Sequence, residues 1–268
     1  RVSGIDYKRH GYLFLLTNEV DAENFRAALV VQQKLGVPSQ MISADDVKAL
    51  VPGLETSDLL AAAYCPIDGH ASPESVVQAY AGAAAAQGVQ ILQGTSLERI
   101  AVLGDKIVSI ETSGGRIRTA TVICAAGAWS RDVGNLAGLD IPVRGEARWM
   151  HFTPEDGGLP DELPLTIDFA TGFYFHREGE GLVFGGREPT IEGVASHGTR
   201  RLPVLAELPI QSSWWGFYEM SPHHNAIVGE VAQPRRFLYA TGFSGHGFQQ
   251  APAVGEHLAE LVAGAAPT

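Results

Sequence analysis

Apolar and polar positions along this chain repeat with two different periods, and the changes of period divide it. "KRHGYLFLLT" is aromatic and aliphatic through Leu16 and predicts one strand. Asp21 then caps a helix with apolar positions at Phe25, Ala28, Leu29 and Leu35, which Gly36 and Pro38 stop. "SADDVKALVPGL" reads as a shorter helix, with Ser43 as cap, Asp46 as its capping-box partner and Pro52 as terminator. "DGHASPESVVQAYAGAAAAQGVQIL" gives the clearest helix. Ser72 caps it, Pro73 occupies the first turn, where its missing N–H costs nothing, and Gly88 ends it.

Strand signals follow in quick succession: "VQIL", "LERIAVL", "KIVSIET", "GRIRT" and "TVICAAG". Gly104-Asp105 and Ser113-Gly114-Gly115 separate three of them, as in a β-meander with tight turns. From Ile141 to Pro222 prolines are frequent, the helical period is lost, and alternating aromatic runs appear at "GFYFHRE" and "GLVFGG". That stretch predicts a mostly antiparallel sheet. "FLYATG" then returns to an apolar strand and "APAVGEHLAELVAG" to an amphipathic helix, with Pro252 near its first turn. The expectation is a mixed α/β chain in which an α/β part, residues 65–141 and 223–268, encloses a β-rich part, residues 1–64 and 142–222.

Charge and cysteine usage narrow the class. The chain carries 19 basic against 30 acidic side chains, and the basic ones are scattered, which argues against a nucleic-acid surface. No window approaches the uninterrupted apolar length of a membrane span. Cys65 and Cys124 sit in different contexts without close His or Cys companions, so neither a disulfide framework nor a metal site is expected. Reduced packing cysteines suit a reducing compartment, and a cytoplasmic location is the expectation.

The candidate chemistry lies in "YATGFSGHGFQQAPAVG", Tyr239–Gly255. A short strand, a glycine-rich turn and a helix N-terminus together offer close backbone approach and free N–H groups to a ligand with partial negative charge. A purely structural turn is the alternative. "VICAAGAWS", Val122–Ser130, is a second apolar strand ending in small residues; it is either a packed strand end or a second wall of one extended ligand site.

These segments carry a resemblance. "TVICAAGAWS" and "YATGFSGHGFQQAPAVGEHLAELV" look like two segments of the FAD-dependent amine and amino-acid oxidoreductases, the family of D-amino-acid oxidase, glycine oxidase, sarcosine oxidase and dimethylglycine dehydrogenase. "PIDGHASPESVVQAYAGAAAAQGVQIL" and "WWGFYEMSPHHNAIVGE" are similar to two more, and among subtypes the chain most resembles sarcosine oxidase beta subunits and the related dehydrogenases. The resemblance implies an FAD-binding Rossmann-like part with an antiparallel β-rich substrate part. It implies that Gly242, Phe243, Ser244, Gly245, His246, Gly247, Phe248 and Gln249 line the flavin ring. A helix N-terminus would then face the pyrimidine edge and favour reduction. Ala125, Ala126, Gly127 and Trp129 would pass beside the pyrophosphate and ribityl chain, and Leu97 would lie near the adenine.

The chain also departs from the family pattern. An arginine that holds the substrate carboxylate in glycine oxidase-like members is Tyr218 here, and a lysine of monomeric sarcosine oxidases is Gln249. Tyr218 and His246 are the candidate catalytic residues. His246 either handles a proton or orients substrate, or is a backbone-bonded histidine in a tight loop. Arg187 could supply the missing cation, or is a surface arginine. His223 and His224 are adjacent and read as a solvated turn rather than a metal site.

The family's N-terminal GxGxxG unit has no counterpart in the sequence. The expectation is a C-terminal portion of a longer flavoenzyme, which alone holds FAD weakly and does not turn over substrate. Two functions follow from the resemblance. One is oxidation of the C–N bond of a small secondary or tertiary amino acid to an imine. The other is a non-catalytic FAD-binding assembly factor, or a subunit that works with partner subunits.

Overall fold

The computed structural model describes residues 4–264, so the outermost ends of both expected parts, 1–3 and 265–268, lie outside the described residues. In chain order the elements begin with strands β1 (Tyr7–Lys8) and β2 (Tyr12–Leu16), helix α1 (Glu19–Lys34), β3 (Gln40–Ile42), α2 (Ala44–Leu50) and β4 (Ala61–Cys65). Next come β5 (His70–Ala71), α3 (Pro73–Ala86), β6 (Leu97–Leu103), β7 (Lys106–Thr112), β8 (Gly115–Ile117), β9 (Val122–Cys124) and α4 (Ser130–Asn135). Then follow β10 (Arg144–Phe152), β11 (Leu165–Asp168), β12 (Tyr174–Glu178), β13 (Gly181–Gly185), α5 (Ile191–Arg201) and β14 (Ser212–Met220). The last elements are β15 (Ile227–Glu230), β16 (Phe237–Thr241) and α6 (Gly247–Ala263). The chain folds into two compact units. One takes the residues up to Gln87 with Arg148–Gly216, and the other takes Gly88–Ala147 with the residues from Phe217 onward.

The first unit is built on an eight-stranded sheet of order β14-β10-β13-β12-β11-β2-β4-β3. Pairing is mostly antiparallel, with β2 and β11 parallel. Period-2 alternation sends Leu13 and Leu15 into a core with Phe173, Phe175 and Phe184, closed by Val47 of α2 and Val194 of α5. Each such side chain, fully buried, is worth about 1.5–3 kcal/mol. The opposite face of β2 presents Phe14, whose ring meets Phe25 of α1 at 5.1 Å, while Phe25 meets Phe169 edge-on at 5.0 Å.

Several local expectations need correction here. The first predicted strand is two strands, because Gly11 turns the chain at φ +92°, and a Cβ there would strike the Tyr64 ring at 2.5 Å. Helix α1 begins earlier than expected: Asn18, not Asp21, is the cap, its side chain accepting from the Asp21 N–H at 3.0 Å. Val89–Leu92 is not a strand, since it lacks a pairing partner among the described residues, and its Val89, Ile91 and Leu92 are exposed. Helix α5 interrupts the stretch expected to be sheet. The capping-box and proline signals of α2 and α3 hold as read.

Helix α5 is anchored by charge. Arg201 is 5% exposed; its Nε donates to Asp168 at 2.8 Å and its two terminal nitrogens reach both Asp58 oxygens at 2.7 and 3.0 Å. The Arg201 hydrogen bonds hold the Asp58 carboxyl below the usual carboxylate range. Elsewhere in this unit His10, His70 and His176 cluster, with ring centroids 6.0 Å apart for His10–His70 and 4.5 Å for His70–His176. Burial, then the neighbouring His176 and His10, push the His70 pKa down from 6.5 to about 4.

In the second unit, β16 lies between β15 and β9, antiparallel to the first and parallel to the second. Its alternate residues serve two cores: Phe237 and Tyr239 join Ile100, Ile107 and Cys124, while Leu238 and Ala240 join Leu258 of α6. The β6-β7-β8 meander forms as expected. β9 is an edge strand with Ile123 exposed. Both cysteines are free and buried. Among the described residues no helix is long and apolar enough to cross a membrane, and no group of three or more His, Cys, Asp and Glu is placed to hold a metal ion.

Two outcomes follow. Arg201→Met leaves the 4%-exposed Asp168 without its cation, and urea unfolding should show a loss of about 3–5 kcal/mol; a loss under 1 kcal/mol would mean that the network does not anchor α5. The second concerns acid. Because His70 binds its proton at about 4 when folded and 6.5 otherwise, the unfolded chain takes up the proton first as pH falls. This contribution is whole above the upper value and is lost progressively between the two. Unfolding midpoints measured across that window should fall less steeply in His70→Gln than in the parent.

Candidate functional site

Parallel pairing of β9 with β16 sets Tyr239 opposite Cys124, so the two strands end on the same side. At such carboxyl ends the chain leaves the sheet without blocking what lies beyond it. After β9 it turns at Gly127, φ +56°, into a short 3-10 turn, Gly127–Trp129, and then α4. A Cβ built on Gly127 would meet Glu219 Oε2 at 3.9 Å, an ordinary contact, and no other atom of the described residues outside its chain neighbours within 4 Å. After β16 the glycines answer a different need. At Gly245, φ +95°, a Cβ would lie 2.6 Å from the Tyr218 ring, so the ring packs directly on the loop backbone.

Ser244 holds this loop. It is a non-glycine residue at φ +54° and 7% exposed, a conformation that costs on the order of 1 kcal/mol or more unless its surroundings fix it. Its N–H donates to Glu219 O at 3.0 Å, its hydroxyl donates to Gly242 O at 3.0 Å, and Ser221 N–H donates to that hydroxyl at 3.2 Å. Next to it, Phe243 bridges Met220 antiparallel.

A second knot ties the two turns together. Thr241 Oγ1, at the end of β16, lies 2.8 Å from Ser130 Oγ, 2.9 Å from Glu219 Oε2 and 3.4 Å from Gly127 O. Thr241 and Ser130 are both fully buried. Helix α6 then starts at Gly247, with His246 as N-cap and no side chain capping its first N–H groups. That start is earlier than the sequence suggested, so Pro252 lies inside the helix rather than in its first turn.

The expected site residues fall into three groups. Gly127, Tyr218 and Gly242–Gly247 are brought together around the knot, with His246 exposed at the N-cap. Phe248 and Gln249 are exposed on the first turn of α6, as are Ala125 and Trp129 after β9, the Trp129 ring meeting Phe217 edge-on at 5.7 Å. Leu97 and Ala126 instead pack against the apolar cluster of Ile100 and Cys124. His223 and His224 are exposed in a turn, and Arg187, also exposed, lies against the Phe169–Gly172 turn of the first unit. Sequence reasoning missed Glu219, Ser130, Thr241 and Ser221, whose roles come from partners up to 114 residues away.

The serine makes a testable point. Ser244→Ala keeps the left-handed strain and strips two backbone groups of their partner, so it should lose about 1–3 kcal/mol in urea unfolding. Ser244→Gly loses the same bonds but relieves the strain, and should lose less. The reverse order would show that the loop is not held in this conformation.

Comparison with known proteins shows the family. A family model described as DAO, FAD dependent oxidoreductase, matches residues 2–261. Mitochondrial sarcosine dehydrogenase of Homo sapiens is 26% identical, over 95% of this chain and 30% of its own length. FAD-dependent oxidoreductase domain-containing protein 1 of Xenopus laevis is 28% identical, over 96% of this chain and 61% of its own. The chain thus spans under two thirds of these relatives. Among solved structures, L-proline dehydrogenase from P. horikoshii superposes with a TM-score of 0.90 at 31% identity, over 97% of this chain and 73% of that one. With nearly every residue inside the matched region, this chain belongs to the family of FAD dependent oxidoreductases.

Proposed function

We propose that this chain lines the flavin in an enzyme that oxidises the C–N bond of a secondary or tertiary amino acid. The observation that carries the reading is the pair of turns leaving adjacent parallel strands beside the uncapped start of α6. These residues fit FAD. Gly127 presents bare backbone with only the Glu219 carboxylate beside it, and no side chain caps the first N–H groups of α6, which suits an electron-rich ring edge. No lysine or arginine lies within residues 241–250.

When bound, FAD would supply the two-electron acceptor: a neutral amine that gives up a hydride equivalent becomes an iminium ion, from which a secondary amine can also lose its N–H proton to give the imine, and water then hydrolyses the C=N bond. The chain's own residues bind and orient. Uncapped N–H groups at Gly247, Phe248 and Gln249 favour negative charge on a ligand beside them. Tyr218 stands where glycine oxidase-like relatives resemble one another in an arginine, and its hydroxyl is a neutral donor for a substrate carboxylate. A neutral donor binds more weakly than a charge-assisted pair, so substrate affinity should be modest. His246, exposed at the N-cap, is our candidate to accept a proton or orient the amine. The 31% identity to a proline dehydrogenase supports a secondary amino acid as the substrate class.

A second reading is a non-catalytic FAD-binding assembly factor. The absence of a cation at Tyr218 and Gln249 supports it equally, as does the likeness to a relative whose name states no substrate.

Anaerobic mixing of the natural full-length protein with sarcosine, dimethylglycine, L-proline and D-alanine separates the two. Bleaching of the flavin band by at least one of them is expected. Tyr218→Phe should then raise KM about tenfold with little change in kcat, as for loss of a hydrogen bond to a charged group. No bleaching with the whole panel, together with a stable complex with another protein, would favour the second reading.

A further inference from the structure

Within residues 124–130, 216–221 and 241–250 there is one carboxylate, Glu219, and no lysine or arginine. A lone negative charge among backbone turns that face a phosphate-bearing cofactor is unexpected, because like charges repel. Its contacts suggest why it is there. Thr241 Oγ1 has one proton and three oxygen neighbours, and a carboxylate is the strongest acceptor of the three. Thr241 is the donor at all three distances, and its one proton goes foremost to the charged Glu219 Oε2, with Ser130 Oγ beside the same hydroxyl. The result is a cluster centred on Thr241, in which the Ser130 and Thr241 hydroxyls are both fully buried. Ser130 opens α4 directly after the Gly127 turn, and Thr241 is the last residue before Gly242. The order of both turns is keyed to one carboxylate. The same residue's backbone O accepts the Ser244 N–H.

The carboxylate also occupies the open side of Gly127, where a Cβ would find no other atom within 4 Å. Only a hydrogen-bond donor is welcome beside it. We propose that Glu219 is a cofactor-positioning residue: it sets the two turns through Thr241 and Ser130, and it reserves the space before Gly127 for the hydroxyl-bearing ribityl segment of the flavin rather than for its phosphates. The inference rests on the FAD reading above.

The test uses the natural full-length protein and FAD itself. Affinity for FAD, the reduction potential of the bound flavin and the thermal midpoint are measured for the parent, Glu219→Gln, Glu219→Ala, Thr241→Val and Thr241→Ser. Glu219→Ala and Thr241→Val should each weaken FAD about tenfold, the loss expected for a charge-assisted hydrogen bond. Their combination should be no weaker than the worse single variant, because one cluster of bonds is broken in both. Thr241→Ser restores the hydroxyl and should restore affinity. Glu219→Gln keeps an acceptor for Thr241 but removes the charge, so it should leave the thermal midpoint near the parent's and move the flavin potential positive. A purely structural carboxylate would not move that potential. If the parent binds FAD and Glu219→Gln and Glu219→Ala match it in affinity and potential, the inference is overturned and the FAD reading stands. If the parent binds no FAD, both fall.

Discussion

One hydroxyl, Thr241 Oγ1, is shared among Ser130, Glu219 and the Gly127 carbonyl, and the order of the two glycine turns depends on it. Glycine-rich turns are expensive to fix, because glycine gives up more conformational freedom than any other residue. A site that needs bare backbone therefore needs restraint from elsewhere. Here the restraint is polar and buried: Thr241 binds the end of β16 to the start of α4 and to β14, while Ser244 fastens the loop to Glu219 and Ser221. A missing partner would strand a buried hydroxyl, and that cost makes the arrangement specific.

The first unit solves a similar problem with opposite chemistry. Helix α5 has few apolar anchors beyond Val194, and it is fixed by the buried guanidinium of Arg201 between Asp58 and Asp168. Full charges are tolerable there because each is paired at hydrogen-bonding distance. Near the glycine turns the fastenings are hydroxyls and backbone, with a single carboxylate. Such a lining leaves the electrostatics of the site mainly to the α6 terminus and to whatever ligand it holds.

What could be read in the sequence was local. Ser43 with Asp46 and Ser72 with Pro73 announced α2 and α3, because a cap and its partner lie within one turn of each other. The glycine turns after "VIC" and "YAT" were legible for the same reason. Misreadings arose where the deciding partner is distant. "VQIL" has strand composition, yet a strand exists only by pairing. Gly11 looked like part of a strand because the Tyr64 ring that demands a glycine is far along the chain. Helix α5 was invisible because its anchor is an arginine, which a hydrophobic pattern counts as surface. Glu219 lies inside "WWGFYEMSPHHNAIVGE", where nothing near it in sequence names Thr241 or Ser130 as its partners.

The parallel pairing of β9 with β16 also has a consequence in time. A ribosome makes β9 well before β16, and the strands of the eight-stranded sheet from β10 to β14 emerge in between. Until Phe237–Thr241 arrives, Val122–Cys124 has no strand partner among the described residues, and the apolar cluster around Cys124 lacks Phe237. Non-local pairing of this kind delays completion, and the exposed strand is vulnerable to wrong partners meanwhile. The glycine turn and the α6 terminus are synthesised later still. A nascent chain that stalls before Thr241 would carry the Gly127 turn and most of this fold, yet lack both the glycine loop and the helix start that stand beside that turn, so the candidate site is the last part of the fold to be completed.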